Sequence, residues 1–133
     1  MTSHRAEVTW TGDRDDLRAH TVRLGEQEVA SSSSSEHEGD PAKADPEEMF
    51  VGSLSACHML WFLDLARGER LRVTSYTDHA EGEMDGSRFT RVALRPRVSF
   101  EREPDGETVS RLHDAAHERC FIANSVSCPV VVE

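Results

Sequence analysis

Cysteine is the residue type in this chain with the most reactive side chain, and it occurs at positions 57, 120 and 128. An odd number of cysteines with no CxxC pair argues against a disulfide framework, a zinc ribbon and a thioredoxin-type motif. Cys57 and Cys120 fall in predicted helices, whereas Cys128 precedes a short terminal strand and is expected to be an incidental thiol. Two helical cysteines could simply pack in a core, or one could form a sulfenic acid that the other captures as a disulfide. Composition alone leaves both possibilities open.

Histidine offers a second kind of chemistry near the C-terminus. His113, His117 and Cys120 are spaced at i, i+4 and i+7, which puts them on one helix face and makes them possible ligands of a transition metal. No fourth ligand is spaced to join them, so a partly exposed helix face is the favoured interpretation. His58 adjoins Cys57 but points about 100° away around the helix, which makes it a poor partner for that thiol. A reactive thiol in the middle of a helix would therefore need a cation from elsewhere in the fold.

The first cysteine lies in a stretch, residues 45–68, that has helix signals at both ends. Asp45 is a suitable N-cap, Pro46 fits the first helical position, and Glu48 can reach back to the cap. Gly68 is expected to supply a left-handed residue at the C-terminal end. The sequence therefore predicts a helix about 33 Å long.

Apolar residues cover most of the circumference of this helix, so it is expected to be buried nearly all round. A single domain of 133 residues has too little material to wrap so long a rod by itself. The sequence therefore predicts a partner, most simply a second copy of the same chain. The apolar residues concerned are Met49, Phe50, Leu54, Ala56, Leu60, Trp61, Phe62, Leu63 and Leu65.

The rest of the chain predicts strands on both sides of the long helix and a second helix after them. Asp85–Gly86 is the strongest hairpin signal, and it joins two long predicted strands. This order indicates an α+β fold with a mostly antiparallel sheet, in a single domain over residues 1–133. The predicted strands are 7–10, 20–24, 26–30 (with a bulge or hairpin turn at Gly25), 71–84, 89–100 and 129–132, the second helix is 107–119 with a further helical piece at 121–126, and 31–41 is a mobile loop.

Charge and hydropathy exclude several classes of partner. A formal net charge of −10, from 25 acidic and 15 basic residues, disfavours nucleic acids and anionic membranes, because both need basic patches. The longest apolar run, Met59–Leu63, is far shorter than a membrane span, and residues 1–5 lack the apolar core of a signal peptide. We therefore expect a soluble cytoplasmic protein with no membrane and no nucleic acid as partner.

Three segments resemble motifs of one known family. Residues 45–50, DPEEMF, followed by SLSAC at 53–57, resemble the NPEQLF…SAC signature of the OsmC/Ohr family of organic hydroperoxide reductases. Residues 115–120, AAHERC, resemble the segment around that family's second cysteine. Residues 11–15, TGDRD, are similar to its N-terminal segment carrying an arginine. The matching segments and the order of the elements span the chain.

This resemblance implies an OsmC-like fold, in which an antiparallel sheet wraps around a long buried central helix and two chains form an intertwined homodimer with shared active sites. It also implies a thiol peroxidase, with Cys57 as the peroxidatic thiol and Cys120 as the resolving thiol. Glu47 would hold an arginine that stabilises the thiolate and orients the peroxide; Arg14 is the first candidate and Arg18 its rival. The family's usual reductant is an external dithiol of the lipoyl type, and no metal, flavin or haem is implied.

Two geometric arguments extend this expectation. Ten residues of straight helix separate Glu47 from Cys57 by about 15 Å, so a shared site would require the carboxylate of an antiparallel partner helix. Apolar neighbours of the thiol would favour alkyl or fatty-acid hydroperoxides over hydrogen peroxide. These neighbours are Met49, Phe50, Leu54 and Trp61.

The alternative function is that of a non-catalytic dimeric binding or redox-sensing protein with buried thiols.

Overall fold

A computed structural model describes all 133 residues, and its contacts divide the chain into two compact units, Met1–Met49 and Phe50–Glu133. Eight strands and two α-helices give the α+β fold that the sequence predicts. The elements are β1 Ala6–Trp10, β2 His20–Leu24, β3 Gln27–Ser31, a 3-10 turn Ser35–His37, α1 Pro46–Gly68, β4 Val73–Asp78, β5 Glu81–Asp85, β6 Arg88–Leu94, β7 Pro96–Phe100, α2 Gly106–Arg119, a 3-10 turn Ala123–Ser125 and β8 Val130–Val132.

The N-terminal unit is built around a three-stranded antiparallel meander in the order β1-β2-β3. Gly25, with a φ of 61°, lies in the turn between β2 and β3, so the segment that could have been a bulge or a hairpin is a hairpin. The serine-rich stretch that follows differs from the mobile loop expected there. Ser31 and Ser32 are buried, and the Ser32 N–H donates to the Ala44 carbonyl at 2.8 Å. The start of this stretch is therefore tied to the residues that precede α1.

Both ends of α1 are capped by the chain itself. The Glu48 N–H donates to Asp45 Oδ1 at 2.7 Å and the Asp45 N–H donates to Glu48 Oε1 at 3.0 Å, which confirms the predicted capping box. The prediction that Gly68 is the left-handed residue is wrong, because helical hydrogen bonding continues one residue past it. Arg70 takes that conformation instead, with a φ of 59°, and the next N–H donates to the Ala66 carbonyl at 2.9 Å. The helix therefore closes in a Schellman motif that is completed by an arginine.

Only one stripe of α1 is buried within its own chain. Leu54, His58, Phe62 and Ala66 recur every fourth residue, and each is at most 1% exposed. The opposite side is open, and Leu60 is 62% exposed. One chain supplies packing partners to one face only, as the sequence analysis expects, so burial nearly all round stays a prediction that requires a second chain.

By length and composition alone, α1 could also cross a membrane: an 18-residue window has a mean hydropathy of 1.4, and 22% of that window is buried. Core helices of soluble proteins meet the same criterion. The buried stripe of α1 packs against α2 and neighbouring strands, and charged residues lie at both ends of the helix. The buried stripe of α1 is therefore part of the packing of the C-terminal unit.

Strands β4 to β7 form one long hairpin that is broken into two sheets. β4 pairs with β7 and β5 pairs with β6, in both cases antiparallel. The break falls at Arg95 on the return arm, where the backbone N–H donates to the Asp78 carboxylate at 2.6 Å. Pro96 follows and has no N–H to donate. The predicted strands 71–84 and 89–100 are therefore two strands each.

The tip of this hairpin and the last strand complete the sheets. Asp85 pairs with Arg88, and Gly86 has a φ of 63°, so the turn is centred one residue later than the predicted Asp85–Gly86 pair. β8 pairs with β6 in parallel, whereas every other strand pair is antiparallel. The mostly antiparallel arrangement is therefore confirmed with one exception.

Two apolar clusters hold α1 against the rest of the C-terminal unit. One joins α1 to α2, and the other joins α1 to β6 and its neighbours. The predicted second helix is confirmed as α2, and its N-cap Asp105 accepts a hydrogen bond from the Thr108 N–H at 2.8 Å. The first cluster consists of Phe62, Ala66, Leu112 and Ala116, and the second of Leu54, Val92 and Leu94.

Candidate active site

Cys57 lies at the middle of α1 on the wall of a cavity of about 360 Å³. The other lining residues are Leu60, Trp61, Asp64 and Phe121. The first three of these follow the cysteine at i+3, i+4 and i+7, so they share its face of the helix. The thiol is half-buried, and its surroundings are apolar apart from one carboxylate. The cavity therefore gives a hydrophobic molecule access to this sulfur.

Cys120 lies next to Cys57 but in a different environment. It follows the last residue of α2, its N–H donates to the His117 carbonyl at 3.3 Å, and its sulfur accepts from the Ala123 N–H at 3.4 Å. The side chain is 1% exposed. Burial raises the pKa of the Cys120 thiol, and a side-chain contact with Cys57 raises it further. The fold thus brings together the two cysteines that the sequence singled out, and both are free thiols.

The outer wall of the cavity is aromatic. Trp61 meets Phe121 edge to face, with ring centroids 5.5 Å apart and an interplanar angle of 84°. The Arg119 guanidinium carbon lies 5.8 Å from the centroid of the Trp61 ring, as a cation–π contact requires. Sequence reasoning missed Arg119 as a cation beside this cavity, although it directly precedes the second cysteine.

His58, which is fully buried, and His113, which is half-buried, form a pair that the sequence did not predict. Nε2 of His58 and Nδ1 of His113 are 2.9 Å apart, so one ring donates a hydrogen bond to the other. The two rings are nearly parallel, at 7°, and His113 also stacks on Phe62 with centroids 4.3 Å apart. The signal in the sequence is the four-residue spacing of Leu54, His58 and Phe62, which puts the histidine on the buried stripe of α1.

This environment keeps His58 neutral. Burial lowers its pKa to about 4, and the neighbouring His113 and His117 lower it as well, whereas Asp78 opposes them. Burial also lowers the pKa of His113. Asp78 is itself held by the Ser55 hydroxyl, which donates to its Oδ2 at 2.5 Å. The Nδ1 atoms of His58 and His117 are buried without hydrogen-bond partners.

The metal-site hypothesis for His113, His117 and Cys120 finds no support in this geometry. No group of three or more histidine, cysteine, aspartate or glutamate side chains is placed to hold a metal ion. One nitrogen of His113 is already committed to His58. Cys128 is half-buried and packs at the edge of the cluster around β6, as an incidental thiol would.

The other predicted site residues lie in the N-terminal unit. Within that unit, Arg14 is exposed and makes no hydrogen bond or ion pair through its side chain. Arg18 donates from Nε to the His37 carbonyl at 2.9 Å and pairs with Glu38 at 3.7 Å. Glu47, in the first turn of α1, has one buried carboxylate oxygen, Oε2, without a hydrogen-bond partner. Of the two arginines, Arg14 is therefore the one whose guanidinium is uncommitted within its unit.

Comparison with known proteins gives a family match and several structural matches. A family model described as OsmC-like protein matches residues 37–133. An OsmC-like protein of unknown function from Vibrio cholerae is 38% identical, with a TM-score of 0.90, and the match covers 100% of this chain and 99% of that one. The comparison with curated proteins gives no match.

Two more distant solved structures share the fold. An organic hydroperoxide resistance protein OsmC from Legionella pneumophila is 17% identical, with a TM-score of 0.73 and coverage of 100% of this chain and 98% of that one. A putative organic hydroperoxide resistance protein from Vibrio cholerae, with captopril bound in one of its active sites, is 22% identical, with a TM-score of 0.68 and coverage of 99% and 93%.

The buried His58 imidazole predicts a loss of stability in mild acid. Unfolded histidine binds a proton below pH 6.5, whereas His58 in the fold does so only below about 4, so protons favour the unfolded state between these values. The free energy of unfolding should fall by roughly 3 kcal/mol as the pH is lowered from 6.5 to 4. Urea unfolding at a series of pH values measures this change.

The part of this window above pH 4.5 separates the histidine from the carboxylates. Glu69 and Asp105 have lowered pKa values, from hydrogen bonds with Arg111 and Thr108 respectively, and their contributions are lost only below about pH 4.5. In the variant His58→Gln the fall between pH 6.5 and 4 should be much smaller. An unfolding free energy that stays constant across this window in the wild type would show that His58 is not desolvated.

Proposed function

This chain belongs to the OsmC-like family, and we propose that it is a thiol-dependent peroxidase that reduces organic hydroperoxides through Cys57, with Cys120 as the resolving thiol. The observation that carries this proposal is the position of one half-buried thiol on an apolar cavity, next to a second thiol that is fully buried. Two fold relatives have names that refer to organic hydroperoxide resistance, which agrees with this chemistry.

The difference in burial supports different roles for the two cysteines. A peroxide must reach the attacking sulfur, and only Cys57 lines the cavity. Cys120 is closed off from solvent, and its raised pKa keeps it protonated until a partner sulfur is oxidised. A buried thiol beside an accessible one is the arrangement expected of a resolving cysteine, which reacts with its neighbour and not with peroxide.

The reaction follows from these two sulfurs. The Cys57 thiolate attacks the terminal oxygen of the hydroperoxide, the O–O bond breaks, and the alkoxide takes a proton and leaves as an alcohol. The Cys57 sulfur is then a sulfenic acid. Cys120 attacks that sulfur, the S–O bond breaks, and the hydroxyl leaves with the Cys120 proton as water. An external dithiol, of the lipoyl type in this proposal, reduces the disulfide and restores both thiols.

Arg14 is proposed as the cation that stabilises the Cys57 thiolate and the developing alkoxide. Two features of the N-terminal unit support it: the uncommitted Arg14 guanidinium, and the buried Glu47 oxygen that lacks a donor. A buried carboxylate oxygen is costly without a donor, and a guanidinium would supply one. Because Glu47 and Cys57 are about 15 Å apart along one helix, the carboxylate and arginine are proposed to come from the partner subunit.

A second copy of the chain is the partner that best fits the open side of α1. Leu60 and Phe121, both in the wall of the cavity, are 62% and 68% exposed. Large apolar side chains grouped around a reactive thiol indicate a surface that another chain covers. We therefore include a homodimer in the proposal, with each cavity closed by the partner. A closed apolar cavity would favour alkyl or fatty-acid hydroperoxides, which can displace water from it.

The cysteine roles predict different products for two single substitutions. Cys57→Ser should reduce dihydrolipoamide-dependent consumption of cumene hydroperoxide to the uncatalysed rate, because no attacking sulfur remains in the cavity. Cys120→Ser should consume one equivalent of peroxide and stop at a Cys57 sulfenic acid that a dimedone probe labels. Peroxide assay and mass spectrometry measure both results.

Cys128→Ser is the matched control and should behave as wild type. Equal peroxide consumption by wild type and Cys57→Ser would remove the peroxidase and leave the alternative, a non-catalytic dimeric binding or redox-sensing protein.

The arginine assignment predicts unequal effects of two substitutions. Arg14→Gln should slow sulfenic acid formation at Cys57 by roughly tenfold or more, because the guanidinium stabilises the charge that develops as the sulfur attacks. Arg18→Gln, which removes contacts to His37 and Glu38 only, should leave this rate close to wild type. Dimedone labelling at early times after mixing with cumene hydroperoxide, in a background lacking Cys120 and Cys128, tests the assignment; the reverse order of effects would transfer the role to Arg18.

The open side of α1 predicts the effect of a charge on assembly. Leu60→Arg should shift the dimer to monomer, because a guanidinium in place of an apolar side chain would lose its hydration at the interface. Met84→Arg, which adds the same charge at a 45% exposed position next to the hairpin tip, is the control and should leave the dimer intact. Sedimentation velocity reports the mass of each variant, and circular dichroism checks the fold. A monomeric wild type would contradict the proposal.

A further inference from the structure

The two helices that carry the reactive cysteines meet at a second polar contact, and the peroxidase chemistry does not use it. Cys57 and His58 are consecutive residues of α1. Their side chains lie next to two residues on one side of α2, one within the helix and one directly after its last residue. The thiol meets Cys120 and the imidazole meets His113, seven residues earlier in the chain. The position of α1 on α2 is therefore defined at two neighbouring points, one of which is the reacting pair.

The contact between His58 and His113 has a restricted geometry. His58 is 1% exposed, its Nε2 lies 2.9 Å from Nδ1 of His113, and the His113 ring stacks on Phe62 at 4.3 Å. A hydrogen bond in this setting is directional, whereas the surrounding apolar packing of Phe62 and Ala66 on α2 is not. Sliding one helix along the other by even part of a turn would break it and leave Nε2 of the buried His58 without its partner.

Disulfide formation is sensitive to such a slide. The Cα atoms of a disulfide lie within a narrow range of separation, and the dihedral angle about the S–S bond is restricted. Cys120 follows α2 directly and has an extended backbone, with φ −66° and ψ 110°, so its position depends on where α2 ends relative to α1. A shift that leaves Cys57 in its cavity could still move its sulfur out of line with Cys120.

We propose that His58 and His113 are positioning residues for the resolving step: their hydrogen bond holds α1 on α2 in the register in which a Cys57 sulfenic acid faces Cys120. This inference rests on the proposed function. In the step concerned, the Cys120 sulfur forms a bond to the Cys57 sulfur, the Cys57 S–O bond breaks, and the hydroxyl departs with the Cys120 proton as water. The imidazoles take no part in bond breaking. They act on the distance and alignment of the two sulfurs.

The test separates the two chemical steps by rapid mixing of reduced protein with cumene hydroperoxide. Dimedone labelling after different times follows sulfenic acid at Cys57, and non-reducing mass spectrometry follows the Cys57–Cys120 disulfide. In His58→Leu and His113→Leu, sulfenic acid should form at the wild-type rate and the disulfide should form about tenfold more slowly. The long-lived sulfenic acid should then be oxidised further to sulfinic acid at excess peroxide.

Two conservative variants distinguish positioning from general packing. Glutamine can offer a hydrogen-bonding group near the position of Nε2, and asparagine near that of Nδ1, so His58→Gln and His113→Asn should recover most of the disulfide rate. The double variant His58→Leu, His113→Leu leaves no unpaired nitrogen and should fold, yet should form the disulfide as slowly as either single leucine variant.

The chain offers a matched control on the same pair of helices. Arg111 of α2 donates to both carboxylate oxygens of Glu69, just past the end of α1, at 2.8 and 2.7 Å. Arg111→Gln removes this polar link, which lies near the C-terminal end of α1, and should leave the rates of both steps unchanged.

The possible results distinguish failure of the positioning role from failure of the proposed peroxidase. Wild-type disulfide rates in the leucine variants, or an equal slowing in Arg111→Gln, would overturn the positioning role while leaving the peroxidase in place. If the wild type forms no sulfenic acid at Cys57, the proposed function fails and this inference fails with it. A slow disulfide step confined to the leucine variants and recovered by glutamine and asparagine would support it.

Discussion

The packing of α1 on α2 is the contact on which the candidate site depends. Phe62 and Ala66 of one helix and Leu112 and Ala116 of the other are each at most 1% exposed, and together they remove a continuous apolar surface from water. At roughly 25 cal/mol per Å² of apolar surface, this burial is the main force that keeps the helices together. The two cysteines are far apart in sequence, and this contact makes them neighbours.

Local signals in the sequence predict the elements well. The capping box of Asp45 and Glu48, the hairpin near Gly86 and the helix after Asp105 depend on hydrogen bonds between residues close in the chain. Such bonds form wherever the backbone allows them, so residue types suffice to anticipate them. The two cysteines, recognised by their motifs, were likewise anticipated, and the fold brings them together.

Features that depend on packing cannot be predicted from local sequence signals. The apolar circumference of α1 indicates how much surface must be covered but not which chain covers it, and a single chain buries only every fourth residue. The long hairpin divides at Arg95 because a distant carboxylate, that of Asp78, takes its N–H. Local geometry predicts only that His58 points away from its neighbouring thiol. Its partner lies 55 residues further on, and only the tertiary fold could reveal it.

Burial also gives two identical functional groups different environments in one small site. A thiol loses its proton readily only where the thiolate is solvated or paired with a cation. Cys120 has neither condition and its pKa is raised, whereas Cys57 stands at a cavity that a substrate can enter and a cation could approach. The same helix packing that hides one sulfur leaves the other next to it. In the proposed homodimer, a second chain that closed the cavity would exclude water from the Cys57 sulfur while the Cys120 sulfur stayed beside it.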